Sequence, residues 1–544
     1  MTRLQDVMRK DAARHDQYRR SGAWQGRTIA DNARDWAMTA PDTEVFLNEP
    51  RPITYSDLLI DAEALAVALW QMGLRPGDVI SFQLPNWVEA AVINLTASLL
   101  GLVINPIVPI YRDSEVRIIL EDCRSKALFI PSEFRNFNYL EMATQLKAEL
   151  GDLDHIITVR ANAPAELTYE DLVTTGRGGN LPWPQLSAES LKLVMYTSGT
   201  TGRPKGVLHS HNTLARAVQA SVDYWGIEVN DVILMPSPIT HISGYSNGIE
   251  MPFLQGTRSV LMPFWNAEEA VGLADRYGMN ATVGATPFLQ ELVAAAEAAG
   301  SRIPSLKAFA CGGAAVPPAL IRRANNTFAN HCAFRVYGST EAPYGSLGYT
   351  GAANSDLAAD TDGRIVDYEV RIVDDHDNPL PEGQDGEILL RGPALFLGYS
   401  EPAHNADSFT DDGFFRTGDI GHIVAGDGLR ITGRKKDLII RGGENISAKE
   451  VEDLLHRHPD IVEAAVVAMP HERLGEGICA FVIPRPGATI DLPAITAYLA
   501  ESRLAKQKYP EHVEIVADLP RTASGKVKKD ILRTTIANII NKQT

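Results

Sequence analysis

Cysteine is scarce in this chain: four in 544 residues (Cys123, Cys311, Cys332 and Cys479), with no C-x-x-C pair among them. That scatter, with no histidine cluster at ligand spacing, excludes a disulfide framework and a structural zinc site, and it fits a reducing compartment. Long apolar runs are also lacking. The best candidate, AAVINLTASLLGLVINPIVPI at 90–110, is interrupted by Asn94, Thr96, Asn105 and Pro106. It falls short of the roughly 20 apolar residues a membrane span needs, and reads instead as a buried helix leading into a strand. Residues 1–20 (MTRLQDVMRKDAARHDQYRR) are charged throughout and lack the apolar stretch of a secretory signal. A soluble, cytoplasmic protein is expected. Positive charge is in deficit, with 51 Lys+Arg against 68 Asp+Glu and a net charge of −17. Nucleic acid would be repelled by such a chain and is excluded as a partner. The deficit is uneven: from Arg434 onward there are 17 basic and 15 acidic residues, which leaves −19 for everything before. A lysine-rich tail beside an acidic body suits a tail that handles an anion.

Apolar residues make up 45% of the chain and charged residues 22%, ordinary values for a globular protein. The length implies three to four domains or subdomains. Helical and strand patterns alternate from Thr54 to Leu120: TYSDLLIDAEALAVALWQMG (54–73) opens on a Thr/Ser cap, and DVISFQLPN, NWVEAAVINLTASLLG and VINPIVP follow. AVGLADRYGMNATVGATP (270–287) and LKAFACGGAAVPPALIRRA (306–324) continue the alternation. Strands alternating with helices of this length predict βαβ units and a mostly parallel sheet. Between Gly363 and Thr432 helices vanish and short strands dominate, so a small β subdomain is expected there. After Asp437 a compact α+β pattern begins, with a helix from Ala448 to His456 and a strand at EAAVVAMP. GRKKDLIIRGGENIS (433–447) joins the two styles and reads as a hinge. The fold class is therefore α/β: a large N-terminal domain (1–432, its β subdomain about 363–432), a hinge at 433–437, and a small, mobile α+β C-terminal domain (438–544).

Hydroxyls, glycines and one lysine crowd YTSGTTGRPKGV at 196–207, directly after the apolar strand LKLVMY. Glycines allow backbone N–H groups to approach a ligand, and successive N–H groups form an anion nest. The stretch is not a Walker loop. With Gly199 as the first glycine, that template needs Gly at 204 and Ser or Thr at 206, where the chain has Pro204 and Gly206. Four further stretches bear chemistry. CGGAAVPP (311–318) has glycines at a strand end, where a flat ring can lie against backbone. VYGSTEAPYG (336–345) offers Ser339, Thr340 and Glu341, a carboxylate beside hydroxyls as in Mg²⁺ sites. RTGD (416–419) presents a carboxylate suited to ribose hydroxyls, and RTASGKVKKD (521–530) puts Lys526 on a Ser-Gly turn. Taken singly each has a plain alternative: Glu341 at a helix start, Asp419 closing a turn, Lys526 as solvated surface.

In this order and combination, YTSGTTGRPKG, YGSTE, TGD, GRKKDLIIRGGENIS followed by Glu450 and Glu452, and SGK at Lys526 resemble the motifs of the adenylate-forming superfamily. That group contains acyl-CoA synthetases, adenylation domains and beetle luciferases. The resemblance runs from Asp31 to Leu532. Within the group, WQGRTIADNARDWAMTAPDTEVF, FQLPNWVEA and RGGENISAKEVED look most like bacterial medium-chain acyl-CoA and cyclohexanecarboxylate–CoA ligases. The resemblance implies an acid–thiol ligase using ATP, Mg²⁺ and CoA: an acyl-AMP forms with release of pyrophosphate, then the thiol displaces AMP. Carried over residue by residue, Lys526, His241, Thr200 and Glu341 are the catalytic expectations, with Thr200 and Glu341 also at the metal. Thr197, Ser198, Gly199, Thr200, Thr201 and Lys205 would hold the β- and γ-phosphates. Gly312, Gly313 and Ala314 with Tyr337 and Gly338 would flank adenine, Thr340 would meet the α-phosphate, and Asp419 and Arg434 would take the ribose.

Rotation about Lys436 would exchange the two half-reactions, bringing Gly442, Gly443 and Glu444 to the CoA arm. In PSPITHISGYSNG (236–248), the resemblance implies that His241 stands where relatives carry an aromatic or His that gates the carboxylate, and that Ile242, Gly244, Tyr245, Gly284, Ala285, Tyr344 and Gly345 would wall the acyl pocket. No Asp stands there to pair a substrate amine, which weakens an amino-acid substrate; small residues mixed with Tyr imply a medium-chain or alicyclic acid. Two alternatives stay open: an acyl- or aminoacyl-AMP ligase loading a carrier protein, and a non-catalytic nucleotide-binding regulator. The setting of Lys526 six residues after Pro520 also resembles sites silenced by a lysine acyltransferase, and a homodimer is compatible with the family.

Overall fold

Short capping signals set the helix starts. Thr54 and Asp57 form a reciprocal capping box at the head of helix Tyr55–Gln71, and Thr28 with Asp31 does the same for Ile29–Thr39. The computed structural model describes residues 4–161, 165–197, 204–442, 444–521 and 527–543. Helix Val88–Leu100, nearly all buried, does lead into strand Val103–Pro106 as the sequence predicts.

Among the described residues two large sheets organise the body. The seven-stranded sheet runs, from one edge to the other, Ala333–Val336, Ala308–Gly312, Met279–Gly284, Val232–Met235, Arg258–Leu261, Glu44–Leu47 and Ile53–Thr54; all its pairs are parallel except the last. The six-stranded sheet runs Lys205–Ser210, Leu191–Thr197, Val103–Pro106, Val79–Phe82, Ser125–Pro131 and His155–Val159, with only the first pair antiparallel. Helices Tyr55–Gln71 and Val88–Leu100 pack on one another and share one continuous core with both sheets. Burial on both faces explains why these strands read as apolar runs rather than alternating ones.

A four-stranded antiparallel sheet follows (Glu369–Val373, Gly386–Arg391, Phe415–Val424 and Gly428–Arg434). The expectation that helices vanish between Gly363 and Thr432 needs one correction. A single helical turn, Ala403–Ala406, lies there after Pro402, whose fixed φ suits a helix start. Beyond the turn Lys435–Asp437 the chain builds a smaller sheet from Glu444–Ser447, Leu438–Arg441, Gly475–Pro484, Ile461–His471 and His512–Ile515. Helix Ala448–Leu455, capped by Ser447, packs on it over a separate core. No helix among the described residues is long and apolar enough to cross a membrane.

Candidate active site

The buried strand Leu191–Thr197 turns back on itself. Lys205–Ser210 pairs with it antiparallel, and Lys205 stands opposite Thr197. The glycine-rich stretch therefore joins two strands that pair antiparallel. Ser198, Gly199, Thr200 and Thr201 lie outside the described residues, while Thr197 and Lys205 face each other at its base. Ser210 then caps helix His211–Trp225. His209, between them, is fully buried, and burial pushes it down to about 4, so the imidazole stays neutral. Its Nε2 bonds the Thr340 carbonyl at 2.8 Å and its Nδ1 the Thr213 hydroxyl at 3.0 Å. A neutral ring thus ties the hairpin to the loop that carries Thr340 and Glu341.

That loop leaves the edge strand Ala333–Val336. It is irregular, so Glu341 is not the start of a helix. Its turns are tight: a Cβ on Gly338 would lie 2.8 Å from the Tyr344 nitrogen, and Tyr344 itself has φ of 53°. The Tyr399 hydroxyl donates to Glu341 Oε1 at 2.9 Å, and Lys205 Nζ lies 5.1 Å from the centre of the Tyr399 ring. Asp419, only 4% exposed, accepts from the Tyr337 hydroxyl on Oδ2 and from Arg434 Nε on Oδ1, both at 2.6 Å. Strand register sets the second contact, because Asp419 and Arg434 are paired across the antiparallel sheet. Burial and the Asp419 charge push the Tyr337 phenol well up. Three sequence-predicted residues, 337, 419 and 434, thus meet at one carboxylate.

Gly312 ends its strand beside Val336, where a Cβ would lie 2.4 Å from the Val336 carbonyl oxygen; only glycine fits. Gly313 continues with φ of 80°, and it and Ala314 are exposed. One strand over, Gly284 ends Met279–Gly284 in register with Cys311. Ala285 then precedes helix Thr286–Ala299. The adenine and acyl expectations therefore sit at the carboxyl ends of neighbouring parallel strands, where open α/β sheets bind ligands.

His241 precedes the short helix Ile242–Gly244, which runs into a π-helical turn at Tyr245–Glu250. Gly244 is required sterically, since a Cβ would lie 2.1 Å from the Pro238 carbonyl oxygen. Tyr245 is fully buried, and its hydroxyl donates to Asn94 Oδ1 at 2.6 Å. Asn94 in turn donates to Glu250, which pairs with Lys192 at 2.8 Å; both charged side chains are 2% exposed. Tyr344 packs edge-on against Trp225, and its hydroxyl accepts from Asn247. Gly345 lies against the Tyr337 ring. Lys192, Glu250, Asn94, Asn247, His209 and Tyr399 escaped the sequence analysis. Polar residues inside apolar runs, Lys192 in LKLVMY and Asn94 in 90–110, were the visible signals.

Toward the tail, Lys436 sits in the turn Lys435–Asp437. Gly442 follows strand Leu438–Arg441 with φ of 60°, and Glu444 pairs with Arg441. Gly443 and Lys526 lie outside the described residues. Arg521 and Val527 bridge antiparallel on either side of the segment with Lys526. Burial opposes ionisation of Glu115, yet hydrogen bonds from its own backbone, Ser114 and Arg112 and the charge of Lys528 pull its carboxyl below the usual range.

The donor chemistry fits the expected metal. Among the described residues no three His, Cys, Asp or Glu side chains cluster, and Tyr399 is the only donor to the Glu341 carboxylate. Mg²⁺ ordinarily takes one or two carboxylates and completes its shell with substrate phosphates and water, so a lone Glu341 with a free second oxygen suits it.

Two largely parallel sheets with glycine-rich strand ends, an antiparallel sheet that carries Asp419 and Arg434, and a small α+β tail define an adenylate-forming type of enzyme. The chain belongs to the AMP-binding enzyme family: residues 33–400 match that family and residues 450–526 match the AMP-binding enzyme C-terminal domain. It is 35% identical over 526 residues to the medium-chain fatty-acid–CoA ligase of Escherichia coli (strain K12), covering 95% of this chain and 92% of that protein. It is 32% identical to the 2,3-dihydroxybenzoate-AMP ligase of Bacillus subtilis (strain 168), with 96% of each covered. Among solved structures it superposes on ATP-bound MatB from Rhodopseudomonas palustris with a TM-score of 0.82 at 28% identity, covering 94% of this chain and all of that one.

Proposed function

We propose that this protein is an ATP-dependent carboxylic acid–CoA ligase. A substrate carboxylate oxygen attacks the α-phosphorus of ATP, the bond to the β-phosphate oxygen breaks, and pyrophosphate leaves. The CoA thiol then attacks the acyl carbon of the acyl-AMP, and AMP departs. The observation that carries this proposal is the meeting of Tyr337 and Arg434 on Asp419, beside a loop whose Glu341 faces Lys205 through Tyr399. Those groups come from four distant segments, and a purely structural role explains neither the two charged bonds on buried Asp419 nor the single pinned oxygen of Glu341.

In this reading Asp419 and Arg434 hold the ribose, and Gly312, Gly313, Ala314 and Tyr337 border the adenine. Thr197, Lys205 and Ser198, Gly199, Thr200 and Thr201 between them grip the outer phosphates. Glu341, with Thr200, would hold Mg²⁺, which would neutralise phosphate charge. Lys526 supplies the cation between carboxylate and α-phosphate, where developing charge needs it most. The segment 433–437, centred on Lys436, is the pivot between the residues before 432 and those after 438, and Gly442, Gly443 and Glu444 receive the pantetheine arm after rotation. His241, Ile242, Gly244, Gly284, Ala285, Tyr344 and Gly345 border the acid, a medium-chain or alicyclic one. Transfer to a carrier protein is the second reading, favoured by the 32% identity to an AMP ligase.

The test is a panel of acids from acetate to decanoate, with cyclohexanecarboxylate and benzoate, assayed by acid-dependent ATP–pyrophosphate exchange and by product mass with CoA. Exchange and an acyl-CoA product with a six- to ten-carbon or ring acid are expected. Exchange without acyl-CoA, but with acylated holo-carrier protein, transfers the conclusion to the second reading. No exchange with any acid overturns both.

A further inference from the structure

The segment after strand Gly386–Arg391 lies along the open edge of the hairpin strand Lys205–Ser210. Leu397 N–H donates to the Leu208 carbonyl at 2.8 Å, Leu208 N–H to the Gly398 carbonyl at 3.0 Å, and Ser400 N–H to the Gly206 carbonyl at 2.7 Å. Phe396 N–H also donates to the Glu341 carbonyl at 2.8 Å. One short extended stretch thus touches the base of the phosphate hairpin and the Glu341 loop together. Tyr399 sits at its centre, bridged to Val207. The stretch itself is fixed: the Asn405 side chain accepts from Tyr399 N–H at 2.8 Å and donates to its carbonyl at 3.2 Å. Ser400 Oγ donates to Asp122 at 2.8 Å, and the Phe396 ring packs edge-on at 4.9 Å.

We propose that Tyr399 is a positioning residue for the adenylation step, its hydroxyl fixing the Glu341 carboxylate and its ring face seating the Lys205 ammonium. The inference rests on the ligase reading. A hydrogen bond on Oε1 fixes the carboxylate rotamer and leaves Oε2 as the oxygen open to a metal. A cation held on a ring face, rather than by a carboxylate, keeps its charge for an arriving phosphate. One rigid ring therefore sets the spacing between the two groups that must act on the same triphosphate.

Tyr399→Phe removes the hydroxyl and keeps the ring; Tyr399→Leu removes both. Binding is read without chemistry by titrating Mn²⁺ into the protein plus ATP, with no acid present, and following free Mn²⁺ by electron paramagnetic resonance. Tyr399→Phe should weaken Mn²⁺ about tenfold, as expected for one lost hydrogen bond to a charged group, with ATP affinity at saturating Mn²⁺ within about twofold. Tyr399→Leu should also lose about tenfold in ATP affinity. With an acid identified, the Mg²⁺ half-saturation of the exchange reaction should rise in parallel for Tyr399→Phe, while thioester formation from supplied acyl-AMP stays unchanged. Mn²⁺ affinity within twofold of wild type, or equal loss in both half-reactions, overturns the inference. If Tyr399→Leu does not fold, Tyr399→Phe decides alone. The metal titration needs no acid, so it judges Tyr399 even where the acid panel sinks the ligase reading.

Discussion

Breaking the Lys192–Glu250 pair should destabilise the body of the protein far more than removing it whole. The two groups are 2.8 Å apart and both are 2% exposed. At an effective dielectric of about 20, a contact of this length corresponds to about 6 kcal/mol of attraction. Dehydrating each ion takes back several kcal/mol, and the Lys192 ammonium is driven down from its ordinary pKa, burial outweighing the pull of Glu250. Attraction and desolvation therefore nearly cancel. In Lys192→Met the Glu250 carboxylate loses its cation and keeps neutral donors such as Asn94, a buried charge left unpaired, which typically costs about 3–5 kcal/mol. An unfolding entropy near 2.1 cal/mol/K per residue, over a cooperative unit of about 400 residues, converts that loss into a Tm drop of about 4–6 °C. In Lys192→Met/Glu250→Gln the Gln carbonyl still accepts from Asn94 and no charge remains, so stability should return to within about 1 kcal/mol of wild type. Differential scanning calorimetry and urea midpoints on the single and double variants read both quantities. A single variant that melts within 1 °C of wild type, or a double variant as unstable as the two singles summed, would refute the reasoning.

Acid should weaken the fold through His209. Its native pKa lies at about 4 against an ordinary 6.5, so the unfolded chain binds the proton first; stability is intact above about 6.5 and falls as the pH drops toward 4, by about 3 kcal/mol over the whole window. His209→Gln keeps a donor for the Thr340 carbonyl and cannot titrate, so its urea midpoint should fall less steeply between pH 7 and 4.5; equal slopes in the two proteins count against this. Lys526→Ala should slow acyl-AMP formation by about 10²–10³-fold, the scale for one electrostatic group at a developing charge, and spare thioester formation from supplied acyl-AMP. Comparable losses in both half-reactions would remove the division of labour proposed for the tail.

Residues that need a special backbone were legible in the sequence, and residues that serve another side chain were not. Thr54 with Asp57, three apart before an apolar run, announces a helix because the capping bonds are local. Gly312 announces a strand end because a Cβ there would strike the Val336 carbonyl. By contrast, the backward turn of Lys205–Ser210 onto Leu191–Thr197 was not visible, since VLHSHN reads equally as an approach to a helix and the pairing depends on a partner strand already embedded in the sheet. Asp419 was found as a ribose candidate, but its bond to Tyr337 spans 82 positions and leaves no trace in spacing. Tyr399 is the extreme case. Its position is set by a loop 58 residues earlier and by a hairpin lysine in a third segment, and a phenol at that point satisfies no local rule. Lys192 stands out as a lysine in an apolar run, but its partner Glu250 is named by no spacing and is found only where the two side chains meet. Groups that meet a ligand must bend the chain toward it, and bending needs glycine, proline and hydroxyls in recognisable order. Groups that hold those groups need only distance and chemistry, which the tertiary fold alone supplies.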